Sequence, residues 1–449
     1  MKTFSTGSQE PIAPAIISSQ ELASPETIET REPTKGLVRA FIALRHRNFR
    51  LFWIGQLISL TGTWMQTTGQ AWLVLELTHS GLQLGIVGAL QFLPILLFSI
   101  FGGVIADRWP KRRVLLFTQS AALIQATILW LLVATGNIQL WQVYVLALLL
   151  GLTNSLDMPT RQSFVVEMVG REELPNAVAL NSLLFNMARI VGPGLGGVII
   201  AFSGVSLLFL LNAISFIAVI IGLAMINIHL LRAQPKRLTS LERPKTFQSL
   251  REGLSYIRRT PVVLLVIVIV GLVSLFGVNF NVVLPLFATQ VLNVGAIGYG
   301  FISSAFGAGA LIAALTIAWG NKRPSILRVL IATLAFCILL GIFAISHIYI
   351  ISLLLIACVG LSLVSFTALA NTILQSVAPD HLRGRVMSVY LLVFNGSTPI
   401  GNLMIGGLET FYGASVALLV CAILGLIVAL TGWIWRKPAE KNLAESVLF

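Results

Sequence analysis

Twelve runs of about 20 predominantly apolar residues follow one another along this chain, separated by short polar interruptions. They cover residues 51–77, 84–106, 114–135, 140–158, 177–202 and 205–228, then 262–288, 297–319, 329–346, 348–377, 386–411 and 414–435. At a rise of about 1.5 Å per residue, each is long enough to cross a hydrocarbon core of about 30 Å as a helix. The pattern therefore predicts an all-α membrane protein with twelve transmembrane helices. Residues 1–36, rich in Ser, Thr, Pro and Glu, read as a disordered tail. They lack the basic-then-apolar order of a secretory signal or transit peptide. Residues 37–50 mix Arg with aromatic and aliphatic side chains, which suits a short helix on the membrane surface, although simple topogenic charge explains them equally well. Residues 51–229 form one six-span half and 261–436 another. Between them, 230–260 is a basic linker in which Phe247, Leu250, Leu254 and Ile257 fall at helical spacing. A tail, 437–449, ends the chain, and no stretch is left for a soluble catalytic domain.

Composition removes the main competing class. Hydrophobic residues make up 56% of the 449 positions and charged residues only 10%, against roughly 45–50% and 25% in soluble domains. The net charge of +13 would point to nucleic acid in a soluble protein, but its placement excludes that partner here. If the spans alternate, 29 of the 30 Lys and Arg residues lie on one side, and the opposite loops around His79, 136–141, Gly204, 290–295, His347 and Tyr412 carry none. The positive-inside rule puts the basic side, and with it both termini, in the cytoplasm of a cell (inner) membrane protein. Trp residues cluster near span ends, with Trp64 alone at mid-span.

Candidate chemistry is sparse. Cys337, Cys358 and Cys421 lie inside spans at spacings that match no metal or redox motif and are expected to be buried, inert thiols. The five histidines fall at span ends or in loops, and no G-x-x-x-x-G-K-[ST] stretch offers a phosphate-cradling loop. Neither an enzyme nor a cofactor or metal is expected.

A faint internal repeat supports two related halves, because Arg113-Val114-Leu115 opens the third span and Arg328-Val329-Leu330 the ninth. The loop after the second span reads GGVIADRWPKRRV over residues 102–114. With Gly103, Asp107, Arg108, Arg112 and Arg113 at the signature positions, it resembles the major facilitator superfamily. The resemblance covers about residues 45–436 and implies two pseudo-symmetric six-helix bundles that rock around a central path. In physical terms, Gly103 permits close helix approach, and an acid beside several Arg can form charge-assisted bonds that clamp one bundle to the other. Pro110 stands where the superfamily commonly has Gly, and Ala318 and Lys322 replace the Gly and Asp expected in the second half, which argues against a symmetric second clamp. Gly192-Pro193-x-x-Gly196-Gly197 resembles the span-five motif of the superfamily's antiporters, where Pro bends the helix and Gly admits a neighbour. Residues 157–197 and 379–407 resemble its drug and siderophore efflux branch, which includes enterobactin exporter-like and macrolide-efflux-like proteins.

Arg189 is the one basic residue deep in a span, about 12 residues from its inner end and so roughly 18 Å along the helix. A central Arg costs at least about 2.5–3.5 kcal/mol, so it should face a cavity and pair with an acid, carbonyls or an anionic substrate. Asp157, Glu76 and Glu409, at span ends, are the acids that could carry a coupling proton, and Arg161 falls beyond the predicted end of span four. Trp64, Gln66, Gln91, Asn186, Asn212, Asn279, Asn281 and Asn395 are further cavity candidates, several of which would serve as helix–helix glue. The expectation is a monomeric, proton-coupled exporter of an amphipathic small molecule, siderophore or drug-like. A facilitator-type importer or uniporter of a metabolite is the first alternative; a membrane-embedded lipid flippase or enzyme would need a reactive cluster that the sequence lacks.

Overall fold

A computed structural model of the protein describes residues 41–232, 246–319, 325–437 and 440. The expected tail 1–36, residues 37–40, linker residues 233–245, Lys322 and nearly all of 437–449 lie outside the described residues.

Apolar side chains leave the backbone no hydrogen-bonding partner but itself, so the described chain is helical almost throughout. The helices are α1 (Arg47–Thr78), α2 (Gly81–Arg108), α3 (Lys111–Ala134), α4 (Leu140–Val169), α5 (Leu174–Ala224), α6 (Thr246–Arg259) and α7 (Pro261–Gly277). They continue with α8 (Phe280–Leu286), α9 (Ala296–Trp319), α10 (Ile326–Ala344), α11 (Tyr349–Val377), α12 (Asp380–Tyr412) and α13 (Ala414–Ile434). Among the described residues, nine helical stretches are long and apolar enough to cross a membrane. Because α5 turns back on itself at Gly204 (φ 72°, ψ 173°), it contains two helical arms separated by a residue that only Gly adopts easily.

Three boundaries differ from the sequence expectation. First, α4 runs through Pro159 to Val169, so Arg161 is part of this helix and sits one turn after Asp157. Pro159 removes one helical N–H, a loss that membrane helices tolerate more readily than soluble ones. Second, the expected span 262–288 is broken at Val278 and Asn279, where the Asn279 amide donates to the Leu275 carbonyl at 2.9 Å and competes with the helical ladder. A π-helical turn, Phe287–Val291, follows α8. Third, the segment before α1 is a short 3₁₀ turn, Ile42–Arg45, docked on the start of α5: the Ala43 N–H donates to Asn176 Oδ1 at 3.0 Å, and Arg45 and His46 both reach Glu173.

Within the first half, α1 packs on α5, α2 on α4, and α3 on both α4 and α5; in the second, α9 packs on α11, α10 on α11 and α13, and α7 on α12 and α13. The halves meet where α5 crosses α9 and α2 crosses α12. Small residues make these crossings close. A Cβ on Gly197 would stand 2.4 Å from the Ala296 carbonyl oxygen, and one on Gly406 would stand 2.4 Å from that of Gly81. The closest approaches lie away from the basic α2–α3 turn, toward the end that carries the His79, Gly204 and Gly413 turns, here called the charge-poor end. Near the opposite, basic end, α6 packs along α12, with Ile257 buried, the Tyr256 hydroxyl donating to the Val377 carbonyl at 3.2 Å, and Glu252 paired with Arg385. Cys337 and Cys421 are buried as expected, whereas Cys358 is exposed, since it falls on the outward stripe of α11.

Candidate functional site

The i, i+4, i+7 spacing of Tyr299, Ser303 and Phe306 puts them on one face of α9, and that face meets the middle of α1 and α5. Between them lies a cavity of about 120 Å³ lined by Trp64, Thr67 and Thr68 of α1, Arg189 and Pro193 of α5, Tyr299, Ser303 and Phe306 of α9, and Val278, Phe280, Asn281 and Leu284 around the α7–α8 break. The guanidinium of Arg189 is bracketed by two rings, lying 5.6 Å from the centroid of Trp64 in the first half and 4.6 Å from that of Phe306 in the second. Both distances are within the range of cation–π attraction. Among the described residues no carboxylate lies in ion-pair range of Arg189. Its planar fork, with donors that pair naturally with carboxylates, therefore borders the cavity without a protein counter-ion.

Backbone packing brings these groups together. Gly192 lets α5 approach α1 so closely that a Cβ there would stand 2.5 Å from the Trp64 Cβ; Gly196 rests on Met65, and Gly197 faces α9 instead. The Ser304 hydroxyl donates to the Ile190 carbonyl at 2.6 Å and so ties α9 to α5 just above Arg189. Above the cavity, toward the charge-poor end, Trp72 stacks on Tyr299 with centroids 6.1 Å apart and joins α1 to α9.

The amide candidates divide by environment. Trp64 and Asn281 line the cavity, and Gln91 lines a small space beside it together with Asn281. Gln66 is buried glue: Asn212 donates to its carbonyl oxygen at 2.6 Å, and it donates to Gln125 at 3.2 Å. Asn279 donates into the helix break while its amide oxygen is buried without a donor, Asn186 bonds back to the Ser182 carbonyl at 2.8 Å, and Asn395 is half-buried on α12 and does not line the cavity. The lining residues that sequence reasoning passed over are Thr67, Thr68, Val278, Phe280, Leu284, Tyr299, Ser303 and Phe306, which only the crossing of α9 with α1 and α5 selects.

The acids differ sharply. Glu76 is exposed and accepts from the Trp72 indole at 2.6 Å, so it lies outside the cavity. Asp157 is buried and saturated: Oδ1 accepts from Thr118 and Gln119, each at 2.8 Å, and Oδ2 from Arg161 Nε at 2.9 Å and from its Nη2. It ties α3 to α4. Replacing Asp157 with Ala is expected to destabilise the protein by about 3 kcal/mol, because it leaves Arg161 and two further donors facing a hole; Asn should cost about 1 kcal/mol. Thermal unfolding in detergent micelles measures both. Glu409, only 4% exposed, sits where α12 backs onto Gly81 of α2. One of its oxygens accepts from Gln290 on the π turn at 2.6 Å; the other has no donor in reach.

Two residues of the basic loop bind within the first half. Arg112 donates to the carbonyls of Leu223 and Ala224 at 2.6 and 2.8 Å, capping the C-terminus of α5, and Lys111 pairs with Glu167 at 2.5 Å. Arg108 and Arg113 are exposed, as is Asp107, which has a partner of its own. The close helix approach expected at Gly103 belongs to its neighbour: Gly103 faces open space, whereas a Cβ on Gly102 would stand 2.2 Å from the Ser155 carbonyl oxygen. One residue along a helix turns the side chain by about 100°, which moves the contact from one glycine to the other.

The family described as transmembrane secretion effector matches residues 38–447. The staphyloferrin A transporter of Staphylococcus aureus is 25% identical over 406 residues, covering 88% of this chain and 98% of that one. The multidrug efflux pump Tap of Mycolicibacterium fortuitum is 27% identical, covering 83% and 92%. The enterobactin exporter EntS of Escherichia coli is also 27% identical, covering 81% and 85%. Among solved structures, the nucleoside transporter NupG superposes with a TM-score of 0.69 at 14% identity, covering 87% of this chain and 100% of that one, a likeness of fold.

Proposed function

The chain belongs to the transmembrane secretion effector family of the major facilitator superfamily, and from that membership we propose that it exports an amphipathic small molecule in exchange for protons by alternating access. Its standing as a multi-pass membrane transporter of the efflux type, not an enzyme, follows from the family and its relatives.

Counting both arms of α5 and adding α1 and α12, which are as long but more polar, gives twelve spans. On this reading the chain forms two pseudo-symmetric six-helix bundles, works as a monomer, and has its basic end in the cytoplasm by the positive-inside rule. The glycine-rich seams at the charge-poor end then close the cavity toward the outside.

The observation that carries the proposal is Arg189, a charge at cavity level with aromatic rings from both halves and, among the described residues, no carboxylate partner. Desolvated charge of this kind needs an opposite charge, so the substrate brings an anionic group, as siderophore-type chelators do, and an apolar body that meets Trp64, Phe280 and Phe306. Of the acids, Glu409 is the one placed to carry the proton, because its second oxygen is buried without a donor at the crossing that must part for outward opening. Asp157 is committed to Arg161. The loop holding Asp107, Arg108, Arg112 and Arg113 sets how freely the first half rocks.

Efflux of a dye and of the host's own iron chelators, measured in cells with and without the protein, tests this reading. Export gained with the protein and lost on collapse of the proton gradient is expected. Downhill accumulation that ignores the gradient would replace it with the importer reading.

A further inference from the structure

A second concavity lies far from Arg189, on the outer surface of the second half between α7 and α13. It encloses about 440 Å³, several times the central cavity, and its walls include Leu264, Val268 and Leu272 of α7, Val428 of α13, and Arg258 and Trp435 at one end. Leu264 and Val268 are 39% and 45% exposed, so these side chains face outward and do not fill a core.

The groove's dimensions and chemistry both restrict its occupant. From Pro261 to Leu272 the α7 backbone rises about 16 Å, half of a hydrocarbon core of about 30 Å. The groove thus runs from the basic-end headgroup level to the bilayer middle, the depth of one leaflet. Its one hydroxyl, Thr431, is spent on the Ile427 and Val428 carbonyls, each at 2.9 Å, which leaves the walls below Arg258 and Trp435 without a free polar group. Charge stands only at the mouth. Arg258 ends α6 next to Arg259, and Arg436 stacks over Trp433 at 4.5 Å on the facing helix end. Among the described residues no acid pairs with Arg258, Arg259 or Arg436; Glu252, on the same helix as Arg258, is taken by Arg385.

We infer that this groove is a binding site for an anionic phospholipid of the basic-end leaflet, with an acyl chain along Leu264, Val268 and Leu272 and the phosphate at Arg258. Apolar packing alone gives no preference among lipids, since one acyl chain is as apolar as another. The headgroup supplies the selectivity, about five-fold for each basic side chain near it. Trp435, 70% exposed at the mouth, sits where an indole settles among headgroups. The site does not depend on what the central cavity carries.

Native mass spectrometry of the purified protein, equilibrated with equal amounts of dioleoyl phosphatidylglycerol and dioleoyl phosphatidylethanolamine, tests it on the monomer peak. The parent should retain one phosphatidylglycerol in preference to phosphatidylethanolamine. Arg258→Gln should cut that preference about five-fold, and Val268→Trp, which fills the groove without entering the core, should remove the retained lipid altogether. Equal retention of the two lipids by the parent overturns the proposal, as does phosphatidylglycerol retention that neither variant changes. A dimer that Val268→Trp dissolves would assign the groove to a second copy and overturn it as well.

Discussion

Replacing Arg189 with Ala should reduce export at low internal substrate concentration about ten- to hundred-fold. A charge-assisted hydrogen bond contributes about 1.5–3 kcal/mol, and each 1.4 kcal/mol is a factor of about ten in affinity. The loss should appear mainly as weaker apparent affinity, because the guanidinium meets the substrate before the halves move. Lys at this position keeps the charge but loses the planar fork and the stacking between Trp64 and Phe306, so it should fall between Arg and Ala. Unfolding separates this effect from misfolding. Removing a desolvated charge that has no carboxylate partner should leave the melting temperature unchanged or raise it. A melting point that drops with the export rate would recast Arg189 as a packing residue.

The second large effect is expected at Gly197, where α5 touches α9. A Cβ there would stand 2.4 Å from the Ala296 carbonyl oxygen and 3.0 Å from the Gly300 Cα, and both obstacles are backbone. Gly197→Val therefore cannot close the charge-poor end as it is closed here. Transport should fall at least ten-fold while the fold persists, since membrane helices separate at a small-residue contact more readily than they unfold. A cysteine replacing Thr67 on the cavity wall, in a background without Cys337, Cys358 and Cys421, reports the change. An impermeant thiol reagent applied from the charge-poor face should label it in the Gly197→Val variant and spare it in the parent. Equal labelling of the two would show that the α5–α9 crossing does not control access.

How far these features were legible in the sequence depends on whether a residue's role is local. Arg189 was legible because one charge in a long apolar run has few reasons to be there, and Trp64 because indoles seldom sit at mid-span. Phe306 was not, since nothing in a linear pattern separates it from the other 24 of the 25 Phe residues; only the crossing of α5 and α9 selects it. The break at Asn279 was hidden by its apolar flanks, and the course of α4 past Pro159 was hidden because Pro and Arg161 together read as the end of a span. Asp157 reads in the sequence as a candidate proton carrier, because nothing in a linear pattern shows the four donors, on the three residues 118, 119 and 161, that surround it. The Gly102 and Gly103 pair differs only in which way it faces, a property set by α4, and Arg112 binds carbonyls more than a hundred positions away.

The turns at the charge-poor end have a further consequence. His79 and Ser80 alone join α1 to α2, Gly204 alone separates the arms of α5, and Gly413 alone joins α12 to α13, with positive φ at His79, Gly204 and Gly413. Chain this tight leaves almost nothing standing above the headgroups. A protease needs several extended residues to thread its cleft and an antibody needs a raised patch, and neither is offered at these three points. The face turned away from the basic end thus offers little to agents that recognise protruding chain, and an inserted epitope would be tolerated only in the longer links near Gly136, Asn293 and His347.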